Sequence, residues 1–291
     1  MLRSISRLTT PTLFNTFRYR AFASTETGNE VLVERLDGER KGITVISLNR
    51  PQAKNSFSRS LVQEFEKVLD GLEHDNGSRC VILRSSTPGI FCAGADLKER
   101  KAMSTDETTE FVTSLRELLM ALEQLPMPSI AALDGHALGG GLEMALACDM
   151  RTAAENTKMG LVETRLAIIP GAGGTQRLPR ILSPALAKEL IFTSRVLSGK
   201  EAKEFGIVNH AVPQNDSGDA AYQKALEIAE EILPNGPVGV RMAKLAIDKG
   251  IQVDLNTGYS IEEICYSQVI PTKDRLEGLQ AFAEKRNRCI R

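Results

Sequence analysis

The sequence predicts an α/β fold that ends in a helical tail, and three observations carry that expectation. Short β-prone runs alternate with longer segments whose apolar residues recur at helical spacing. Beyond about residue 219 the β-prone runs stop and only helical stripes continue. With 291 residues, 42% hydrophobic and 25% charged, the chain can bury a sizeable core of its own.

In chain order, residues 31–36 and 43–48 flank a glycine-containing turn and predict an opening hairpin. After Pro51, residues Leu61, Val62, Phe65, Val68, Leu69 and Leu72 form one helical stripe, with Gln63, Glu64 and Lys67 on the wetter side. Cys80, Val81, Ile82 and Leu83 read as a buried strand, and Pro88-Gly89 as the irregular turn after it. A second helix is expected over residues 107–125, on the apolar face of Phe111, Leu115, Leu118, Leu119 and Leu122, until Pro126 and Pro128 break it. Residues 129–133 make the next strand. In the tail, Ala221, Ala225, Ile228 and Ile232 outline one helix and Val238, Met242, Leu245 and Ala246 a second. Further helices are expected over 254–269 and 272–288, the former weakened by Gly258.

The formal charge of -1 carries no broad basic bias, which argues against DNA or an acidic membrane as main partner while leaving room for a local phosphate pocket. Cys80, Cys92, Cys148, Cys265 and Cys289 are scattered without a CxxC pair and read as free, buried thiols. The first 25 residues differ: Arg3, Arg7, Arg18 and Arg20 lie among Ser, Thr and apolar residues, and no acid precedes Glu26. That pattern fits a matrix-targeting peptide, placed over residues 1–28. No apolar stretch is long enough to demand a membrane span.

Two runs of small residues can bring backbone donors close to an oxygen: Phe91-Cys92-Ala93-Gly94-Ala95-Asp96, and Gly135-His136-Ala137-Leu138-Gly139-Gly140-Gly141. If a helix starts inside the second, its free N–H groups face developing negative charge. Glu143 follows these glycines, and Glu163 precedes the small-residue turn Pro170-Gly171-Ala172-Gly173-Gly174. Placed together in an apolar cleft, two carboxyls would hold one water in opposite protonation states, one taking a proton and the other giving one. Tight backbone packing and ordinary helix-face glutamates are the competing structural readings.

Other motifs fail. Gly171-Ala172-Gly173-Gly174-Thr175-Gln176 puts Gln176 where a dinucleotide loop needs its last glycine, and Ser198-Gly199-Lys200-Glu201 lacks the phosphate-loop frame. No HExxH zinc helix or GxSxG elbow occurs, so no metal site is expected. His74, His136 and His210 are widely spaced, and His136 reads as structural. Asp96 reads as a cap or brace for its loop, and the charged run from Lys98 to Lys101 as solvated surface with a phosphate contact as the sharper alternative.

Taken together, Phe91-Cys92-Ala93-Gly94-Ala95-Asp96-Leu97, Ala137-Leu138-Gly139-Gly140-Gly141-Leu142-Glu143, and Glu163 followed by Ile169-Pro170-Gly171-Ala172-Gly173-Gly174-Thr175-Gln176-Arg177-Leu178 resemble the crotonase family over roughly residues 30–288. The resemblance implies an α/β spiral core of β-β-α units over 29–218, then a C-terminal helical trimerisation region over 219–291, with homotrimers that pair as hexamers. It implies a lyase that reversibly hydrates an α,β-unsaturated acyl-CoA, with no tightly bound cofactor, since coenzyme A belongs to the substrate. The amides of Ala95 and Gly140 would hold the thioester oxygen, Glu143 would activate water, Glu163 would protonate the α carbon, and Gly171 would help position the water. Ala93, Ala95, Lys98, Phe282 and Lys285 would meet CoA, although Ala283 stands where the family pattern has a lysine.

Agreement outside these blocks points to the branch that hydrates 3-methylglutaconyl-CoA in leucine breakdown, some of whose members also bind AU-rich RNA. It rests on segments such as Lys158-Met159-Gly160-Leu161-Val162-Glu163 and Ile270-Pro271-Thr272-Lys273-Asp274-Arg275. A short-chain enoyl-CoA hydratase and an enoyl-CoA isomerase are the enzyme alternatives. An RNA-binding protein using Lys98, Arg100 and Lys101, with secondary hydratase activity, is the alternative of another class.

Overall fold

The computed structural model describes residues 29–288, so the expected targeting segment 1–28 and Cys289 lie outside the described residues. The opening hairpin pairs β1 (Val31–Arg35) antiparallel with β2 (Ile43–Leu48). The Leu61 to Leu72 stripe lies on α1 (Arg59–Glu73), capped by the Ser58 hydroxyl accepting from Leu61 N–H. Then a unit repeats, two short strands followed by helix. It runs β3 (Cys80–Ser85), β4 (Ile90–Cys92), α2 (Leu97–Ala102) and α3 (Thr105–Glu123). The second turn is β5 (Ser129–Leu133), β6 (His136–Leu138) and α4 (Gly140–Ala147). The third is β7 (Met150–Ala154), β8 (Lys158–Gly160), α5 (Gly174–Ile181) and α6 (Pro184–Phe192). After β9 (Leu197–Ser198), α7 (Gly199–Glu204) and β10 (His210–Val212) come α8 (Ala220–Ile232), α9 (Pro237–Gly250), α10 (Leu255–Val269) and α11 (Lys273–Glu284).

The first strand of each repeat joins one sheet, ordered β1-β2-β3-β5-β7-β10, and the second joins another, ordered β4-β6-β8-β9. Pairing is parallel except for β1 with β2 and β8 with β9. This is a spiral of β-β-α units, as the resemblance implied. Because side chains alternate across a strand, β3 sends Val81 and Leu83 into the main core and Cys80 and Ile82 against α8. Ile43, Val45, Ile130 and Ala132 join that second face with Ala225, Leu226 and Ala229 of α8. A strand covered on both faces reads as one continuous apolar run, which is why β3 is visible in the sequence.

Strands β4 and β6 to β10 and helices α2 and α5 to α7 were not predicted; they are short, with strands of two to five residues, most of them carrying small or polar side chains. The last helix stops at Glu284 rather than 288, because Lys285 turns left-handed (φ 53°) and Arg286 folds back to pair with Glu277 and Glu284. Gly258 sits inside an unbroken α10, against the backbone of Gly250 on α9. The expected division after residue 218 falls just ahead of α8. That helix is fixed to the larger sheet, with Asp134 accepting from Ala221 and Tyr222 N–H at 2.7 and 3.0 Å. By contrast α9 to α11 bury only Cys265 and Ala281 and expose Ile247, Tyr259, Ile264 and Leu276 among others.

Candidate active site

The loop after β4 reaches its place through backbone pairing with Phe57. Phe57 N–H donates to Gly94 O at 2.8 Å, and Asp96 N–H donates to Phe57 O at 3.1 Å. The intervening Ala95 amide therefore points away from Phe57, and it donates to no other group among the described residues. Asp96 braces the loop: it caps α2 by accepting from Lys98 and Glu99 N–H and pairs with Arg50 at 2.9 Å. Burial raises its pKa, but Arg50 and those amides win and hold it below the ordinary carboxylate value. Arg50 also binds Glu30 at 3.0 Å and Ser56 O at 3.0 Å, tying the loop to the first hairpin.

Helix α4 does start inside the glycines. Gly139, its N-cap, has φ 54° and ψ -126°, a conformation costly for any residue with a Cβ. Its N–H donates to Gly160 O at 2.8 Å, while the Gly140 amide donates to nothing among the described residues. The two loops touch: a Cβ on Gly94 (φ 90°) would lie 2.9 Å from Leu138 O and 3.2 Å from Gly140 N. Two amides without an acceptor among the described residues, one of them at a helix N-terminus, thus lie on two small-residue loops that touch.

The carboxyls sit beside them. Glu143, on the first turn of α4, is 3% exposed, and its Oε1 accepts from Ala172 N–H at 2.9 Å and Gly174 N–H at 2.7 Å. Burial wins and raises its pKa, although the Gly174 and Ala172 amides, and after them Arg177 and Arg116, pull it back down. Glu163 opens a short 3-10 turn, Glu163–Leu166, and both its carboxyl oxygens are buried without a hydrogen bond from another residue. Its Oε1 would lie 3.2 Å from a Cβ on Gly139. Burial and then repulsion from Glu143 push its pKa up to about 7. The turn is anchored next door, where Thr164 Oγ1 donates to Ile191 O at 2.8 Å and Arg165 Nη2 to Ser194 O at 2.9 Å.

The sequence reading treated Gly171 to Gly174 as a turn and missed its contribution, the amides of Ala172 and Gly174 on Glu143. It also missed Arg116, which donates to Gly171 O, and Arg177, which donates to Ala172 O. The signal available was a third small-residue run following the two already singled out. The Gly171 amide itself has no acceptor among the described residues.

The remaining candidates lie further out. Ala93 is exposed, with its N–H on Lys54 O at 3.1 Å. Lys98 and Lys101 are exposed on α2, whereas Arg100 is half-buried and stacks on Phe111, with 5.8 Å to the ring centroid. Phe282 is 86% exposed near the end of α11, and Lys285 caps that helix; the structure brings neither to the carboxyls. His136 accepts from Lys158 N–H at 3.1 Å, a structural bond. Cys80, Cys92, Cys148 and Cys265 are free and buried. Among the described residues no group of His, Cys, Asp or Glu is arranged to hold a metal, and no helix is long and apolar enough to cross a membrane.

Human methylglutaconyl-CoA hydratase, mitochondrial, is 59% identical over 261 residues, covering 90% of this chain and 77% of the relative. Mouse enoyl-CoA hydratase domain-containing protein 2, mitochondrial, is 55% identical over 257 residues, covering 88% and 87%. The crystal structure of an enoyl-CoA hydratase from Bacillus anthracis superposes with a TM-score of 0.85 at 49% identity, covering 90% of this chain and 99% of the other. Residues 38–289 match the family model for enoyl-CoA hydratase/isomerase, and the chain belongs to that family.

Proposed function

We propose that the chain adds water across the α,β double bond of 3-methylglutaconyl-CoA, giving 3-hydroxy-3-methylglutaryl-CoA, with Glu143 and Glu163 as its acid–base pair. The observation that carries this reading is the unequal treatment of two neighbouring carboxyls. Glu143 takes two amides and two nearby arginines, which favour its ionised form against burial. Glu163, buried without such help, is held partly protonated near neutral pH. In hydration Glu143 accepts a proton from water as its oxygen bonds to the β carbon, and Glu163 delivers its proton to the α carbon. The α,β π electrons move into the thioester as an enolate, whose oxygen the free amides of Ala95 and Gly140 stabilise, and then into the new C–H bond. The Gly171 N–H holds the water. One water adds, and no net proton is released.

Exposed Leu97, Leu166, Ile168 and Ile169, on the segments that follow Ala95 and Glu163, support an apolar approach for an acyl chain. Ala93, Ala95 and Lys98 would meet CoA, as would Phe282 and Lys285 across a subunit boundary. The apolar faces left open on α9 to α11 support a homotrimer, paired as a hexamer. The relatives' mitochondrial location and the acid-poor, Arg-rich start of the chain support the matrix as its compartment. RNA contact through Lys98, Arg100 and Lys101 is a poorer fit, because Arg100 is already stacked on Phe111.

The test is turnover of an acyl-CoA panel by the mature protein with products identified. Preference for 3-methylglutaconyl-CoA over a short straight-chain enoyl-CoA is expected. The reverse preference would reject the substrate and keep the chemistry, and double-bond migration without hydration would favour an isomerase.

A further inference from the structure

A trans peptide is planar, so the carbonyl of one residue and the N–H of the next point in opposite directions. The peptide joining Gly171 to Ala172 is gripped on both sides. Arg116 Nε and Nη2 donate to Gly171 O at 3.2 and 3.1 Å, while Ala172 N–H donates to Glu143 Oε1 at 2.9 Å. The next carbonyl is gripped as well: Arg177 Nη1 donates to Ala172 O at 2.9 Å. Gly173, with φ 109°, leaves the space that the Arg177 guanidinium fills; a Cβ there would collide with Nη1.

Both arginines lean on one helix. Arg116 lies on α3, and Arg177 is tethered to Glu123, two turns further along α3, through Nε and Nη2 at 3.2 and 2.8 Å. Donors on a carbonyl also polarise the peptide, strengthening the hydrogen bond its N–H gives on the far side. We propose that Arg116 and Arg177 are positioning residues for hydration: backed by α3, they hold the 171–174 loop so that its amides stay on Glu143 Oε1 and the Gly171 N–H meets the reacting water. This inference rests on Glu143 being the general base. The charged groups acting on that carboxyl are Glu163, Arg177 and Arg116, with Glu123 partly neutralising Arg177.

The decisive variant is Arg116→Gln, since Arg116 is exposed and its loss should spare folding; Arg116→Lys and Glu123→Gln accompany it. The readouts are kcat, KM, the pH profile of kcat/KM, and thermal unfolding. Arg116→Gln should lower kcat by about 10- to 100-fold with KM changed less than about threefold. The acid limb should move to higher pH, because Glu143 becomes easier to protonate. Lysine should restore much of kcat, and Glu123→Gln should lower kcat by loosening Arg177. A folded Arg116→Gln enzyme with wild-type kcat and an unmoved acid limb would overturn the proposal, as would a kcat loss explained by unfolding alone. Glu143→Gln in the same assay separates the two readings. If that variant hydrates normally the base assignment fails; if it is inactive while Arg116→Gln is normal, only the positioning role fails.

Discussion

Glu163 keeps both carboxyl oxygens buried without a hydrogen bond from another residue, beside a Glu143 that takes two backbone amides on a single oxygen. The same two side chains would be interchangeable in water. Here burial raises the pKa of both, repulsion from Glu143 adds to that of Glu163, and only Glu143 has backbone amides of other residues pulling the other way. In the proposed mechanism, the division of labour rests on the backbone of the 171–174 loop.

That division predicts a pH profile. One proton is shared by the pair in the active form, whichever direction the reaction runs, and hydration releases no net proton. Forward and reverse kcat/KM should therefore fall together as pH rises through about 7, where Glu163 loses its proton. Initial rates with the enoyl and the hydroxyacyl thioester across pH 5 to 9 would check this. A reverse rate that climbs through the same range contradicts the shared proton.

The buried carboxyl of Glu163 should also weaken the fold. Its folded pKa of about 7 lies above the ordinary 4.5, so the folded state holds the proton more tightly. Below about 4.5 both states are protonated and the penalty vanishes; it grows with rising pH and is complete above about 7. Allowing for solvent in the cleft, its size is on the order of 2 kcal/mol. Glu163→Gln should accordingly melt a few degrees above wild type at pH 8 and converge with it near pH 4.5. Equal offsets at both values, in thermal scans followed by circular dichroism, would remove the linkage.

At Gly94 the prediction concerns donor placement. Alanine there must adopt φ 90° and press against Leu138 O and Gly140 N, at an expected cost of about 1–2 kcal/mol in stability. The larger effect should be on turnover, because displacing an oxyanion donor lowers kcat by about 10²–10³-fold. Steady-state kinetics beside a melting curve would separate the two. A folded Gly94→Ala enzyme with kcat within about threefold of wild type would contradict the assigned role of these amides.

The parts of this fold that the sequence discloses are those whose signal is local. Helices α1 and α3 show through long apolar stripes, β3 and β5 through continuous apolar runs, and the start of α4 through its glycines. Strands of two to three residues such as β8, β9 and β10 carry too few side chains to display a period. The pairing of Arg50 with Asp96, 46 positions apart, and of Arg177 with Glu123, 54 apart, depends on the spiral and leaves no local trace. Glu143 and Glu163 were singled out from flanking small residues and resemblance; that one oxygen of Glu143 would take two amides was not readable, since a Gly-Ala-Gly-Gly run specifies closeness and not direction.

The most direct test is turnover of the enoyl thioester in oxygen-18 water by wild type, Glu143→Gln and Glu163→Gln, with the product analysed by mass spectrometry. One labelled oxygen on the β carbon is expected from wild type, and folded variants slower by at least about 10²-fold. Unlabelled product from wild type, or near-normal labelled turnover by either folded variant, would contradict the two-carboxyl account.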